Sequence, residues 1–322
     1  MGEFELIKRY FKRPQSVARV GIGDDCAIFG LSPENEICIT SDLLVQGHHF
    51  LPDVSPQSLG HKALAVNLSD LAAMGAQPVG FLLSLGLPHT EEAWLAAFAK
   101  GMFALAEQYN CPLVGGDTTA SPVILINITA WGEVRKGGGI LRSGAQIGDD
   151  IWVSGTVGDA GLALACRKGQ IHIPLQDARA CFTRMDYPTP RVNLGLALAP
   201  FINSMIDLSD GLAGDLPHIL KASDHSAQVE LTALPVCPAL AQLSFVERTR
   251  LAVCAGDDYE LLFTAPQTQR TPIQQIAKQQ SIPLTLVGSI LPKLGAEPKL
   301  EWLENGQRST FQFHGFQHFS EP

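Results

Sequence analysis

A chain of 322 residues, 46% of them hydrophobic, is long enough to bury two cores rather than one. Its formal net charge of −9, with no run of lysine or arginine, argues against a nucleic-acid partner, whose phosphates need a basic face. Seven scattered cysteines without a CxxC pair read as reduced thiols of a cytoplasmic protein, and no apolar stretch is long enough to span a membrane: 63–87 is broken by Asn67, Asp70, Gln77 and Pro78.

Alternation over 36–41 predicts a first strand, and Ser55-Pro56 opens a helix that runs to Gly75. An apolar strand at 79–87 follows. Thr90-Glu91-Glu92 is placed to cap a helix carrying Trp94, Leu95, Phe98, Met102 and Leu105, which Asn110 can end; strands near 112–115 and 123–132 come next. This β-α-β-α-β-β order makes a mixed layer domain. The glycine run after Arg135-Lys136 is the sharpest break in composition and divides the chain into domains at 1–137 and 138–322. Beyond it we expect a strand at 150–154, helices after Gly158 and Pro190, a short strand at 204–207 and a helix from 211 to about 223. Strands at 227–231, 259–264 and 284–290 complete the second domain. The fold class is therefore α/β, in α+β layers, in both halves. The halves also echo one another, since Asn67-Leu68-Ser69-Asp70 resembles Asp207-Leu208-Ser209-Asp210.

Ten carboxylates fall in six short clusters flanked by glycine, serine or threonine rather than by basic residues. The clusters are Asp24-Asp25, Thr40-Ser41-Asp42, Asn67 with Asp70, Gly115-Gly116-Asp117-Thr118, Asp207 with Ser209-Asp210, and Asp257-Asp258-Tyr259-Glu260. Two carboxylates about 4 Å apart repel by roughly 4 kcal/mol at an effective dielectric near 20, so several in one place call for protons or divalent cations. Hard oxygen ligands beside hydroxyls suit Mg²⁺, which shares its coordination with phosphate oxygens. Asn67 and Asp70, three apart on an apolar helix, should share a face. Asp42, Asp117 and Asp207 are expected at strand ends, where open α/β layers place ligands, although each could equally be a turn residue. Neither glycine pair nor triglycine completes a P-loop or dinucleotide fingerprint, and Arg142 is the better candidate for gripping phosphate. His48-His49 lacks the further ligands a zinc site needs.

In order, GIGDDCA (21–27), TSDLLVQGHHF (40–50), NLSDLAAMGA (67–76), VGGDTT (114–119), IDLSDGL (206–212) and GDDYELLF (256–263) closely resemble the thiamine-monophosphate kinase family, and the resemblance extends to Gly315-Phe316-Gln317-His318-Phe319. The family belongs with aminoimidazole ribonucleotide synthetase, selenophosphate synthetase and the hydrogenase-maturation dehydratase. It implies a two-domain α/β fold, ATP in the cleft between domains and a homodimer joined through N-terminal sheets. Carried over residue by residue, it assigns several Mg²⁺ ions to Asp25, Asp42, Asp70, Asp117, Asp207 and Asp210, with Thr40 and Ser41 assisting. Nucleotide contacts map to Gly116, Asp117, Arg142 and Ser209, and thiamine monophosphate contacts to His49, Glu260 and Phe316. Asp42, Asp70, Asp117, Arg142 and Asp210 are the residues expected to carry catalysis. Two departures stand out: Gly256-Asp257-Asp258 occupies a place where Gly-Gly-Glu-Asp is common, and Phe316 one that often holds another aromatic.

The residue chemistry accords with phosphoryl transfer to a phosphate, because a monoester with a second pKa of about 6 is already an ionised nucleophile and needs no general base. Glu260 and the ring of Phe316 would offer charge and a π face to a thiazolium cation. The rivals are another ATP-dependent enzyme of the superfamily and a sensor that binds nucleotide or thiamine phosphate without turnover. Against the first, the chain lacks a glycine-rich N-terminal reactive-cysteine motif and a terminal cysteine. Against the second, a mere binder gains little from so many repelling carboxylates.

Overall fold

The computed structural model describes residues 3–15, 18, 30, 32–293 and 295–315. The chain divides into two compact units: Met1–Leu71 with Ala76–Gly139, and Ala72–Gly75 with Ile140–Pro322.

In unit 1 a short helix α1 (Glu3–Leu6) and a π-helical turn precede β1 (Asn35–Val45), α2 (Pro56–Ala73), β2 (Gln77–Leu87), α3 (Glu92–Gln108), β3 (Leu113–Ala120) and β4 (Leu125–Arg135). The strands form one sheet in the order β1-β4-β2-β3, with only β2 and β3 parallel. Register gives each face its character. Phe81, Leu83 and Leu85 of β2 pair with Ala130, Ile128 and Ile126 of β4, so their buried side chains share one face. Thr40 and Asp42 of β1 belong to that face, because they pair with Ala130 and Ile128.

Helix α2 is buried nearly all round, as expected for a helix whose apolar residues are not confined to one stripe. It meets α3 at two glycines. A Cβ at Gly60 would stand 2.0 Å from the Phe98 carbonyl oxygen, and one at Gly101 would stand 1.8 Å from that of Gln57. Only residues without side chains let these backbones approach so closely. Glu91, not Thr90, occupies the cap position of α3, with no side-chain capping bond, and Asn110 follows the helix in the left-handed region at φ +48°.

Unit 2 contains β5 (Asp150–Ser154), α4 (Asp159–Arg167), α5 (Leu175–Asp186), α6 (Val192–Leu198), β6 (Ser204–Asp207), α7 (Leu212–Ser223) and β7 (Ser226–Glu230). It continues with α8 (Pro238–Ala241), α9 (Phe245–Cys254), β8 (Leu261–Ala265), α10 (Arg270–Gln280), β9 (Leu284–Leu291), β10 (Leu300–Glu304) and β11 (Gln307–Arg308). Its seven strands run in the order β11-β10-β7-β9-β5-β8-β6. Leu212, Leu216, Ile219 and Leu220 of α7 and Ala252 and Val253 of α9 pack with Ile151, Val153, Ile206, Val229 and Leu262 of the sheet in one core. A second, smaller core joins α4, α5 and α8. Phe311 and Phe313 pack against the main core, Phe313 edge-on to Trp302 at 5.3 Å, and so fasten the C-terminal segment to this unit.

The echo between the halves is not a structural repeat. Asn67–Asp70 lies inside α2, whereas Asp207–Asp210 closes β6 and turns toward α7. Similar letters adopt helix in one context and strand and turn in the other because the flanking hydrophobic pattern, not the motif, sets the local structure.

Candidate active site

Among the described residues, the motif carboxylates form two clusters, one in each unit. In unit 1, the Thr40 hydroxyl donates to Asp70 Oδ2, linking the helix-covered face of β1 to α2. Asp42, two residues along the same face, has its carboxyl pushed up to about 7, first by burial and then by the charge and hydrogen bond of Asp70. The pair therefore shares a site that favours a proton or a cation between its oxygens. Asn67, one turn before Asp70, is fully buried; its Nδ2 donates to the Ala63 carbonyl at 3.2 Å, while Oδ1 has no hydrogen-bond partner.

Strand geometry corrects three expectations here. Neither Asp42 nor Asp117 ends a strand, because β1 continues to Val45 and β3 to Ala120 with Gly115-Gly116 inside it. Since side chains alternate along β1, Ser41 lies on the face opposite Thr40 and Asp42, where its hydroxyl meets Thr129 Oγ1 at 3.0 Å and accepts from Asn127 Nδ2 at 3.0 Å. Asp117 also stands apart. It pairs in register with Ser84, itself opposite Asn127, which places it on Ser41's face and on the far edge strand from β1. Its carboxylate accepts from the Thr118 N–H at 2.9 Å. Gly116 is a position only glycine tolerates: φ is +147° and a Cβ would stand 1.8 Å from the Leu83 carbonyl oxygen. His49 follows β1 in a tight loop, its Nδ1 accepting from the Val45 N–H at 3.1 Å. Asp25 and Phe316 lie outside the described residues.

In unit 2 the last two acidic motifs lie side by side. Leu208 N–H donates to the Glu260 carbonyl at 2.8 Å, Tyr259 N–H to that of Leu208 at 2.9 Å, and Asp257 N–H to that of Ser209 at 2.9 Å. Residues 207–210 and 256–260 thus run as one ladder that extends the β6–β8 pairing, with Asp207 buried at the end of β6. Asp257 and Tyr259 both take positive φ, +74° and +52°, a conformation non-glycine residues rarely adopt, so this segment holds backbone strain. Ser209 is exposed and Asp210 half-buried just before α7. The cap residue of α7 is Gly211; Asp215 reaches back from the first turn to accept from the Asp210 N–H at 3.0 Å. Burial raises Asp215 to about 7, against the opposing pull of the Asp210 and Ser209 backbone amides and of the Arg142 guanidinium. That electrostatic link sets Arg142, exposed on a 3₁₀ turn at Arg142–Gly144, near the start of α7.

Glu260 departs most from expectation. It is 0% exposed, and its carboxylate is held by Arg191 (Nε at 2.8 Å, Nη2 at 2.5 Å), by Arg184 Nη2 at 2.5 Å and by the Ser154 hydroxyl. Two guanidinium groups already match its charge, so the expectation of a carboxylate open to a thiazolium cation is corrected to one locked in a buried ion network. Asp258 is likewise internal: it accepts from the Gly158 and Ala160 N–H groups at 2.6 and 3.3 Å, capping α4, and burial lifts its carboxyl to about 8. The sequence reading missed Arg184, Arg191 and Asp215. The arginines stand 76 and 69 residues from Glu260, in segments with no motif, and no local signal joins them to it.

Residues 23–134 match the family described as AIR synthase related protein, N-terminal domain. Over its full length the chain is 43% identical to the thiamine-monophosphate kinase of Haemophilus influenzae, covering 100% of this chain and 99% of that one. This chain belongs to the thiamine-monophosphate kinase family. Among solved structures of the family, that from Stenotrophomonas maltophilia superposes with a TM-score of 0.83 at 41% identity, covering 91% of this chain and 92% of that one. AaThiL complexed with AMPPCP and TMP superposes with a TM-score of 0.76 at 30% identity, covering 90% of this chain and 89% of that one. The mixed α/β fold is thus the family's. The motifs that carry the resemblance coincide with the two clusters: TSD and NLSD supply Thr40, Asp42 and Asp70, and DLSDG and GDDYE form the ladder in unit 2.

Proposed function

We infer that this chain transfers the γ-phosphoryl group of ATP to the phosphate of thiamine monophosphate, giving thiamine diphosphate and ADP. Full-length identity to thiamine-monophosphate kinases carries the reading, supported by the likeness to a family member in complex with AMPPCP and TMP. The acceptor phosphate is largely ionised at neutral pH and needs no base, in keeping with clusters rich in aspartate and without a nucleophile–base pair.

The residues fit Mg²⁺. Burial and Asp70 hold the Asp42 carboxyl half-protonated near pH 7, and a hard cation can take that proton's place between the two side chains. Asp42, Asp70 and Thr40 would hold one ion and Asp207 with Asp210 another; Asp25, Asp117 and Ser41 join this reading through the family's motifs. Bound Mg²⁺ would neutralise phosphate charge in an in-line transfer. Arg142, Ser209 and Gly116 are read as nucleotide contacts through the family's motifs. His49 and Phe316 are read as thiamine monophosphate contacts through the family's motifs alone, and Glu260 would contribute through the Arg184–Arg191 network, not as a free charge.

Among the described residues no helix is long and apolar enough to cross a membrane, and six cysteines carry free thiols, which supports a cytoplasmic, reducing environment. A homodimer through the unit 1 sheet agrees with Ile39 and Leu43, 68% and 50% exposed on the outer face of β1.

Mass spectrometry of reaction mixtures tests the assignment. Thiamine diphosphate should form from thiamine monophosphate and ATP only with Mg²⁺, and Asp42→Asn and Asp70→Asn should each lower turnover by at least about a hundredfold. Equal turnover of unphosphorylated thiamine, or full activity in excess chelator, would overturn it.

A further inference from the structure

Unit 2 holds a third group of ligating atoms that neither the motifs nor the proposed reaction uses. Cys181 on α5 and Cys237, just ahead of α8, bring their Sγ atoms to 3.3 Å. Asp159, the first residue of α4, adds a carboxylate oxygen, and the three ligand atoms all lie within 4.8 Å of one another. The residues are 0%, 7% and 1% exposed, so this is an internal site rather than an acidic patch.

The two oxygens of Asp159 have unlike surroundings. Oδ2 accepts from the Thr156 hydroxyl at 2.6 Å and faces Arg184 Nε at 3.1 Å. Oδ1 is buried without a hydrogen-bond partner. A buried carboxylate oxygen left in that state forfeits its hydration with no return, and such an atom in a folded protein asks for a ligand.

We propose that Asp159, Cys181 and Cys237 form a binding site for one thiophilic dication of the zinc class, separate from the Mg²⁺ of phosphoryl transfer. Mg²⁺ takes oxygen ligands, whereas Zn²⁺ accepts thiolate sulfur at about 2.3 Å together with carboxylate oxygen at about 2.0–2.2 Å. Two sulfurs on a tetrahedral Zn²⁺ stand about 3.8 Å apart by those bond lengths, so the pair need spread by only about half an ångström. The dication replaces two thiol protons, which leave to solvent. Two thiolates and a carboxylate around it leave one net negative charge, and Arg184 is already in place to face it. Thr156 and Arg184 fix the carboxylate through Oδ2, as outer-shell partners of metal ligands commonly do, leaving Oδ1 for the metal. An open hollow of about 440 Å³, lined in part by Cys166, Ile171, His172 and Phe182, borders the same core.

The test uses the full chain, reduced, stripped of metal and kept in excess Mg²⁺, with Cd²⁺ as the probe. One equivalent should raise the ultraviolet thiolate-to-cadmium band, release about two protons and be displaced by Zn²⁺. Cys181→Ser and Cys237→Ser should each cut the band by about half and weaken binding more than tenfold; Asp159→Asn should weaken binding but keep the band. Cys254→Ser should change neither. Absence of a saturable band, or a band indifferent to both serine variants, overturns the proposal. If those variants do not fold, zinc anomalous density in crystals of the unaltered chain decides: a peak bonded to both sulfurs upholds it, and no peak there overturns it.

Discussion

Arg191 grips Glu260 with two nitrogens, Nε on Oε2 and Nη2 on Oε1, although the two residues are 69 positions apart in the chain. Fork-to-fork geometry of this kind is specific to arginine. Glu260 is wholly buried, so removing one partner leaves charge uncompensated in a dry interior. Arg191→Ala should therefore destabilise the protein by about 3–5 kcal/mol, measured by urea unfolding. Arg191→Lys, which keeps the charge but loses the fork, should recover only part of it. Unchanged stability in the alanine variant would mean that Arg184 suffices alone.

Asp258 gives stability a pH dependence of definite sign. Its carboxyl holds a proton up to about 8 in the folded chain, against about 3.9 when unfolded, because burial opposes its charge. Between those values the native state binds more protons than the unfolded state, so stability falls as pH rises from about 4 to about 8. Asp215, raised to about 7, acts in the same direction. Asp258→Asn, which has no charge to bury and keeps one acceptor for the α4 cap, should lose less melting temperature than the unaltered chain between pH 5 and 8.5. Parallel melting profiles for the two proteins would remove Asp258 as the cause.

Much of this architecture was legible in the sequence. The β-α-β-α-β-β order of unit 1 followed from hydrophobic period and from Ser55-Pro56, and the strands at 150–154 and 204–207 fall where alternation and apolar runs placed them. Helix α5 was missed because its buried stripe consists of only Ala178, Cys181 and Met185, too small and too mixed to register as amphipathic. Strand length decided the site. Reading β1 as ending near residue 41 hid the alternation that puts Thr40 and Asp42 on one face and Ser41 on the other. The motifs named Glu260, but its setting depends on arginines brought in by tertiary folding, which no local spacing encodes.

The crossing of α2 and α3 positions Asp70, and it depends on Gly60 and Gly101. Gly101→Ala would drive a methyl to 1.8 Å from the Gln57 carbonyl oxygen, which belongs to helix backbone and cannot swing away. Overpacking of this kind costs about 1–3 kcal/mol or more. The helices should separate, and turnover should fall with the melting temperature. A variant with full stability and activity would show that the crossing yields easily.

Ile39 and Leu43 expose large apolar side chains four residues apart on the same outer face of edge strand β1. If this face joins two copies, Ile39→Glu should convert the protein to a monomer by light scattering, halving an assembly of about twice 34.6 kDa. The fold of each chain should persist, since neither side chain is part of the core. An unaltered chain that is already monomeric at micromolar concentration would refute the interface.

The C-terminal tail offers a way to separate anchoring from recognition. Phe311 and Phe313 pack on the unit 2 core, and Gly315 then closes against the first turn of α7, where its own Cβ would stand 2.3 Å from Gly214 Cα and 3.2 Å from the Asp210 carbonyl oxygen. Phe313→Ala should accordingly lower stability by about 1–3 kcal/mol, since it removes a partly buried aromatic side chain packed on the core. Gly315→Ala should leave those ring contacts in place but push the chain away from Asp210. If Phe316 reads thiamine, Phe316→Ala should raise KM for thiamine monophosphate more than about tenfold, a loss of roughly 1.4 kcal/mol, with KM for ATP and the melting temperature nearly unchanged. Equal losses for both substrates, or a melting temperature lowered as far as in Phe313→Ala, would make residue 316 a third anchor and take it out of the binding site.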